Sequence, residues 1–318
     1  MVPSIGSAAG ASILANQAGA RQTGAMSKKK KSEKSESAQL APQLQIPQGP
    51  VVMGALDTRA TPGYPGKGKK DAPELTAAMA PELSDLQERL YANGRSNPKK
   101  APSVLLILQG MDTSGKGGVI RHAVGMVDPQ GVQLKAFKAP TAEERRHNYL
   151  WRIRRELPDP GIIGVFDRSH YEDVLVARVD KLVPATTWRK RFDEINRFEQ
   201  KLVDSGTAVI KCFLNVSADE QKERLAERLD NPEKYWKYNP GDLAARANWD
   251  SYQGAYADVL EKCNTDAAPW HVIPSDRKWY RNWAVARLLL EQLRDLDLTW
   301  PKAKGFNVAA QQRKLAKS

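Results

Sequence analysis

The stretch Gly110-Met-Asp-Thr-Ser-Gly-Lys-Gly-Gly118 has the composition of an anion cradle. Gly110, Gly115 and Lys116 fall on the spacing G-x-x-x-x-G-K. In that pattern the backbone N–H groups of a glycine-rich turn face phosphate oxygens, and the lysine reaches them from the first turn of a helix. Two features depart from it. The residue after the lysine, where Ser or Thr ordinarily offers a hydroxyl to a magnesium ion, is Gly117, followed by Gly118. An acid, Asp112, also lies inside the loop. A bare carboxylate beside phosphate is repulsive in a partly dry site. It becomes useful when a divalent cation lies between the two, or when it takes a proton from an attacking phosphate.

Three further groups of residues carry charge in suggestive places. In "VFDRSHYEDVLVARV" (165–179), Asp167 closes an apolar run, where phosphate-loop enzymes place a second acid, and Arg168, Glu172, Asp173 and Arg178 follow. In "DEQKERLAERLDNPEKYWKYNPGDL" (219–243), Arg224 and Arg228 are four apart and share a helix face, with Lys222, Lys234 and Lys237 nearby. The low apolar content suits a lid over phosphates. The competing reading is an exposed helix braced by Glu220, Glu223 and Glu227. A last basic set comprises Lys135, Lys138, Arg145, Arg146, Arg152, Arg154 and Arg155, some of which suit a track for a long anion. His122, His147, His170 and His271 lack metal-ligand spacing, and His170 reads as a structural histidine.

These groups need elements to hold them. Apolar runs predict strands at 103–109, 131–137, 161–167, 208–216 and 270–275. Helical patterning covers 73–94, the segment after the loop to about 125, 141–157 with a Thr141/Glu144 capping box, 188–206, 217–230, 242–263 and 278–297. Continuous apolar strands alternating with helices predict an α/β fold with a parallel sheet covered on both faces. Ligands bind beyond the carboxyl ends of such strands, where 110–118, 138–141 and 167–173 fall.

The motifs "GMDTSGKGG", "DRSHYEDVLVARV", "ERLAERLDNPEKYWK" and "WHVIPSDRKWYRNWAVARLLLE", in that order, resemble those of the polyphosphate kinase 2 family, from about residue 72 to 300. The resemblance implies a P-loop kinase-like three-layer α/β/α fold with a helical lid at about 217–250. It implies a phosphotransferase acting between inorganic polyphosphate and AMP, ADP or ATP, assembled as a homodimer or homotetramer. The "HYED" form, His170 to Asp173, is similar to the subgroup accepting both AMP and ADP. Carried onto this chain, Asp112, Lys116, Asp167 and Arg168 are the expected catalytic set. Gly110, Gly115, Lys116, Gly117, Gly118, Arg178, Arg224 and Arg228 are expected to bind phosphate. Glu172 and Asp173 are expected at the nucleotide, and Asp112 and Asp167 on Mg²⁺ or, as a substitute, Mn²⁺. The family motif often has Asn where Asp167 stands, so a role as an acid transfers less directly there than at Asp112.

Composition narrows the alternatives. The formal charge of +12 invites a nucleic-acid reading. However, residues 1–70 carry 10 Lys and Arg against 3 acids, and residues 301–318 carry 5 against none, leaving 34 of each sign in 71–300. The excess belongs to two basic tails, the first with a "KKKKSEKSES" run and a composition read as disordered. No nucleic-acid partner is therefore expected. No run approaches the roughly 18 apolar residues of a membrane span, so no membrane partner is expected. Two distant cysteines, Cys212 and Cys263, form neither a disulfide framework nor a metal site, and the expected setting is reducing and cytoplasmic. Two other functions stay open: an ATP-dependent nucleoside monophosphate kinase, and a non-catalytic polyanion-binding protein.

Overall fold

The structure, a computed structural model, describes residues 39–318. A five-stranded, wholly parallel sheet forms its centre, in the order β2-β3-β1-β4-β5. The strands are β1 (Ser103–Gln109), β2 (Val132–Ala136), β3 (Ile163–Asp167), β4 (Thr207–Asn215) and β5 (Trp270–Pro274). The helices in chain order are α1 (Ala41–Leu44), α2 (Ala72–Ala77), α3 (Ala80–Ser96), α4 (Lys116–His122), α5 (Leu150–Arg154), α6 (Val176–Val179), α7 (Ala185–Asp204), α8 (Ala218–Asp230), α9 (Gly241–Ala247), α10 (Trp249–Lys262), α11 (Lys278–Asp295) and α12 (Val308–Leu315).

The continuous apolar run of β1 is explained by burial on both sides. Val104, Leu106 and Leu108 face one core with Leu83 and Leu90 of α3, Val119 of α4 and the apolar face of α11. Leu105 and Ile107 face the other, with Ile153 of α5, Ile195 and Phe198 of α7 and Tyr256 of α10. Alternate side chains of a strand point to opposite faces, so both must be apolar. This is the three-layer α/β/α arrangement the sequence predicts. Register then sets the site: Leu108 of β1 lies opposite Asp167 of β3, and Asp167 opposite Ala136 of β2. The loop after β1 and the acid ending β3 thus emerge side by side.

Several expectations are corrected. The basic N-terminal tail was expected to run to residue 70; its first 38 residues lie outside the described residues, but 39–70 pack on the body as a strap. Leu40, Leu44 and Ile46 are buried. The amides of Leu40 and Ala41 bond the Glu291 carboxylate, Gln45 bridges His271, and Tyr64 packs against Trp279 and Trp283. The body therefore begins near 39 rather than 71. The helix at 141–157 is two short pieces, a 3-10 turn at Glu144–Arg146 and α5, although the Thr141/Glu144 box forms as expected. The helix at 73–94 divides into α2 and α3, and that at 242–263 into α9 and α10. The basic C-terminal segment carries the exposed helix α12.

Candidate active site

The loop following β1 turns at Gly110 (φ 151°) and enters α4 through Gly115 (φ 107°), while Thr113 also takes a left-handed conformation (φ 63°). Lys116, the first residue of α4, is buried and folds back so that Nζ donates to the carbonyls of Gly110 (3.0 Å) and Met111 (3.5 Å). Burial, reinforced by the charge of Arg168, pushes its pKa below that of an ordinary lysine. A cation held this way gains from any anion that enters. The hydroxyls of Thr113 and Ser114 are buried with no hydrogen-bond partner among the described residues, a cost that a ligand would relieve.

Two arginines support the loop from behind. Arg224 of α8 donates to Thr113 O (2.8 Å), Ser114 O (3.2 Å), Ser275 O (2.6 Å) and Asp276 O (3.1 Å), and its Nε to Glu220 (2.8 Å). Arg281 of α11 donates to Ser114 O (3.0 Å). Its guanidinium lies against the loop so closely that a Cβ on Gly115 would sit 1.7 Å from Nη1 and one on Gly118 2.5 Å from Nη2. Burial, together with the charge of Arg224, lowers the Arg281 pKa to about 9. With the carbonyl oxygens of Thr113 and Ser114 turned toward cations, the amides at the start of α4 form the face left for an anion. At Gly117 a Cβ would meet nothing within 4 Å.

The acids stand at the mouth. Asp112 Oδ1 pairs with Arg168 Nη2 at 2.7 Å. Arg168 is itself held at φ 64°, and its amide bonds Leu108 O of β1 (3.1 Å). A non-glycine residue held there stores strain, a feature concentrated at functional sites. Asp167, at the end of β3, lines the same opening. Among the described residues no three or more His, Cys, Asp and Glu side chains cluster as a metal cage. Two carboxylates leaving the remaining positions to water and phosphate are the donor set expected for Mg²⁺ rather than for an all-protein site.

Two cavities meet at this point. The smaller, about 380 Å³, has a wall of Leu175, Val176, Tyr252 and Tyr256, with Glu172 and Asp242. Burial raises the pKa of Glu172 despite nearby Arg168 and Lys116, and burial and then Asp112 raise that of Asp242. The larger, about 1000 Å³, is lined by Lys116, Gly117, Arg121, Lys138, Arg228 and Lys237, with Asp167 and Trp236. Asp112, Arg168, Asn239 and Asp242 border both. The segment expected as a lid roofs this junction. Arg228 Nη1 holds it by donating to Lys237 O (2.9 Å) and Asp242 Oδ2 (3.2 Å).

Three expected site residues lie elsewhere. The five N–H groups of Arg224 are all used by the loop, by Ser275 and Asp276 and by Glu220, so it supports the cradle rather than offering donors to phosphate. Arg178 pairs with Asp258 of α10 and stacks on Trp188, 4.6 Å from its ring centre, and lines neither cavity. Asp173 faces Arg152 and Arg191 and also lines neither. His170 is fully buried against Glu199, a structural histidine as expected. Sequence reasoning did not single out Arg281, Arg121, Asp242 or the two tyrosines. Arg281 lies 165 positions beyond Lys116, on a helix whose pattern is that of core packing, so no local spacing marks it.

Comparison with known proteins gives a consistent picture. The family described as polyphosphate kinase 2 (PPK2) matches residues 68–299. A Meiothermus ruber protein named AMP/ADP-polyphosphate phosphotransferase is 45% identical over 256 residues, 80% of this chain and 93% of that protein. A Rhodopseudomonas palustris protein named ADP-polyphosphate phosphotransferase is 39% identical over 264 residues, 79% of this chain and 89% of that protein. The crystal structure of polyphosphate kinase 2 from Arthrobacter aurescens TC1 superposes with a TM-score of 0.84 at 49% identity, covering 89% of this chain and 98% of that one.

Proposed function

The chain belongs to the polyphosphate kinase 2 family, and we propose that it moves a phosphoryl group between inorganic polyphosphate and a nucleotide by direct in-line transfer. The supporting observation is the pair of cavities that share Asp112 and Arg168. The larger, edged by Lys116, Arg121, Lys138, Arg228 and Lys237, suits a phosphate chain. The smaller, with two tyrosine rings, two apolar side chains and two acids, suits a nucleoside whose ring stacks and whose hydroxyls or amino groups donate hydrogen bonds. AMP and ADP are the proposed acceptors, as the names of the relatives suggest.

In the forward direction a terminal phosphate oxygen of the nucleotide attacks the end phosphorus of polyphosphate. A new P–O bond forms, the anhydride bond behind it breaks, and the shortened chain leaves with its electrons on oxygen. Such a transition state asks for alignment and charge neutralisation more than for covalent chemistry. Lys116 and the amides of the loop hold the end of the polyphosphate. Arg168 is placed between the two substrates, where negative charges converge. Asp112 and Asp167 would hold Mg²⁺, with Mn²⁺ as a substitute, and the ion would supply neutralisation of phosphate charge. On this reading the carboxylates take over from the hydroxyl that Gly117 lacks. Asp112 is also the group placed to accept a proton from the attacking phosphate.

The test is purified protein with Mg²⁺ and polyphosphate but no ATP, given AMP and ADP in turn. The reading predicts ADP and ATP as products. Phosphorylation only when ATP is supplied would make the protein a nucleoside monophosphate kinase, and binding without product would make it a polyanion binder.

A further inference from the structure

The strap at 39–67 precedes the matched family region, yet it touches the network that shapes the loop. Asn215, at the end of β4, donates to Leu56 O (3.0 Å). Two residues on, Thr58 grips Asp276 at two points. Its hydroxyl donates to Asp276 Oδ2 (2.8 Å) and its carbonyl accepts the Asp276 amide (3.1 Å). The other carboxylate oxygen, Oδ1, accepts the amide of Ser217 (2.9 Å), which is the N-cap of α8. From α8, Gln221 Nε2 donates to Asp112 O (3.1 Å) and Arg224 to Thr113 O and Ser114 O. The carbonyls of Ser275 and Asp276 hold the far side of the same Arg224 guanidinium. A continuous hydrogen-bonded path therefore runs from Thr58 through buried Asp276 to the carbonyls of residues 112, 113 and 114.

We propose that Thr58 is a positioning residue for the phosphate loop: by fixing the Asp276 carboxylate it sets the start of α8, and through Gln221 and Arg224 the orientation of the loop. Asp276 has two carboxylate oxygens and two jobs. Without the Thr58 hydroxyl, Oδ2 loses its protein donor and the carboxylate can swing away from the Ser217 amide. The start of α8 then loosens together with the carbonyl clamp on Arg224. A site whose rate depends on alignment is sensitive to displacements well under an ångström to about an ångström. The strap is in this sense part of the active site's support, although it reaches neither cavity. The inference deepens the proposed function and relies on it only for the activity readout.

The experiment compares the full chain with Thr58→Val, which keeps shape and backbone bonds, and with Thr58→Ser, which keeps the hydroxyl. Polyphosphate-driven turnover, thermal melting and amide hydrogen exchange are measured on each. Thr58→Val is expected to lower kcat about fivefold, the equivalent of one hydrogen bond, with a smaller change in KM. Its Tm should fall by no more than about 3 °C, exchange should quicken at 217–224 and 112–118 but not in α7, and Thr58→Ser should recover most of the loss. Wild-type kcat in Thr58→Val, or faster exchange confined to the strap, would overturn the proposal. If the wild-type protein shows no turnover with polyphosphate, the functional reading fails, and the exchange at 217–224 and 112–118 still decides the relay.

Discussion

At Gly117 the backbone looks into open space, and the proposed function gives the role of the missing hydroxyl to Asp112 and Asp167, which line the same cavity. Asp112→Asn keeps size and hydrogen bonding but loses the charge. It should fold with a Tm close to wild type, since its ion pair with Arg168 is partly solvent-exposed, and lose about a hundredfold or more in kcat. Steady-state rates beside melting curves check both halves. Half-buried Glu172, on the wall of the smaller cavity, gives a pH signature. Its folded pKa is raised, so between the ordinary carboxylate value and the raised one the native state holds more protons than the unfolded state. Stability from this residue therefore falls as pH rises through that window. Glu172→Gln should melt about 2–4 °C higher than wild type at neutral pH, with the gain vanishing in acid, while nucleotide KM worsens. Lys116 acts at the other end of the scale. With its pKa lowered by burial, the alkaline fall of kcat/KM should begin below the ordinary lysine range of about 10.4. The fall in kcat should come later, because bound phosphate favours the charged lysine.

Elements place these residues, and two arginines on separate helices shape the loop between them. Gly115→Ala puts a methyl where the Arg281 guanidinium lies and at φ 107°. It should cost on the order of 2 kcal/mol or more and abolish turnover. Gly117→Ala, two residues on and facing open space, should fold as wild type; thermal melting of the pair separates steric need from local composition. The inner strands and the loop were legible in the sequence because each is a local signal: a buried parallel strand is an unbroken apolar run, and a phosphate turn needs glycines at set intervals. The supports were not legible. Arg224 was assigned to phosphate because its i, i+4 spacing with Arg228 reports only a shared face. That face turns inward at Arg224, which is buried, and outward to the cavity at Arg228. Arg178 and Asp173 sit in the same short motif as Arg168 and Glu172, but the 3-10 turn at His170–Asp173 and the short α6 send alternate side chains to the packing behind. The Gly- and Pro-rich composition of 39–70 hid the strap: Leu40 and Leu44 share only the single turn of α1, and Ile46 and Tyr64 continue no period from them.

For the whole molecule, the even charge balance of 71–300 means that affinity for a polyanion comes from cations gathered on one cavity. Polyphosphate KM should therefore rise steeply with salt, since exposed charges are screened over about 8 Å at physiological ionic strength, while kcat changes little; rates at several salt concentrations test this. Among the described residues no helix is long and apolar enough to cross a membrane. The claim on which all of this rests is that phosphate, cation and the two acids meet where the cavities join. A crystal structure with Mg²⁺, polyphosphate and a nucleotide measures it directly. The account predicts phosphate oxygens within hydrogen-bonding reach of Lys116 and Arg168, an ion on Asp112 and Asp167, and the nucleoside between Tyr252 and Glu172. Both carboxylates turned away, with the phosphates bound at another surface, would contradict it.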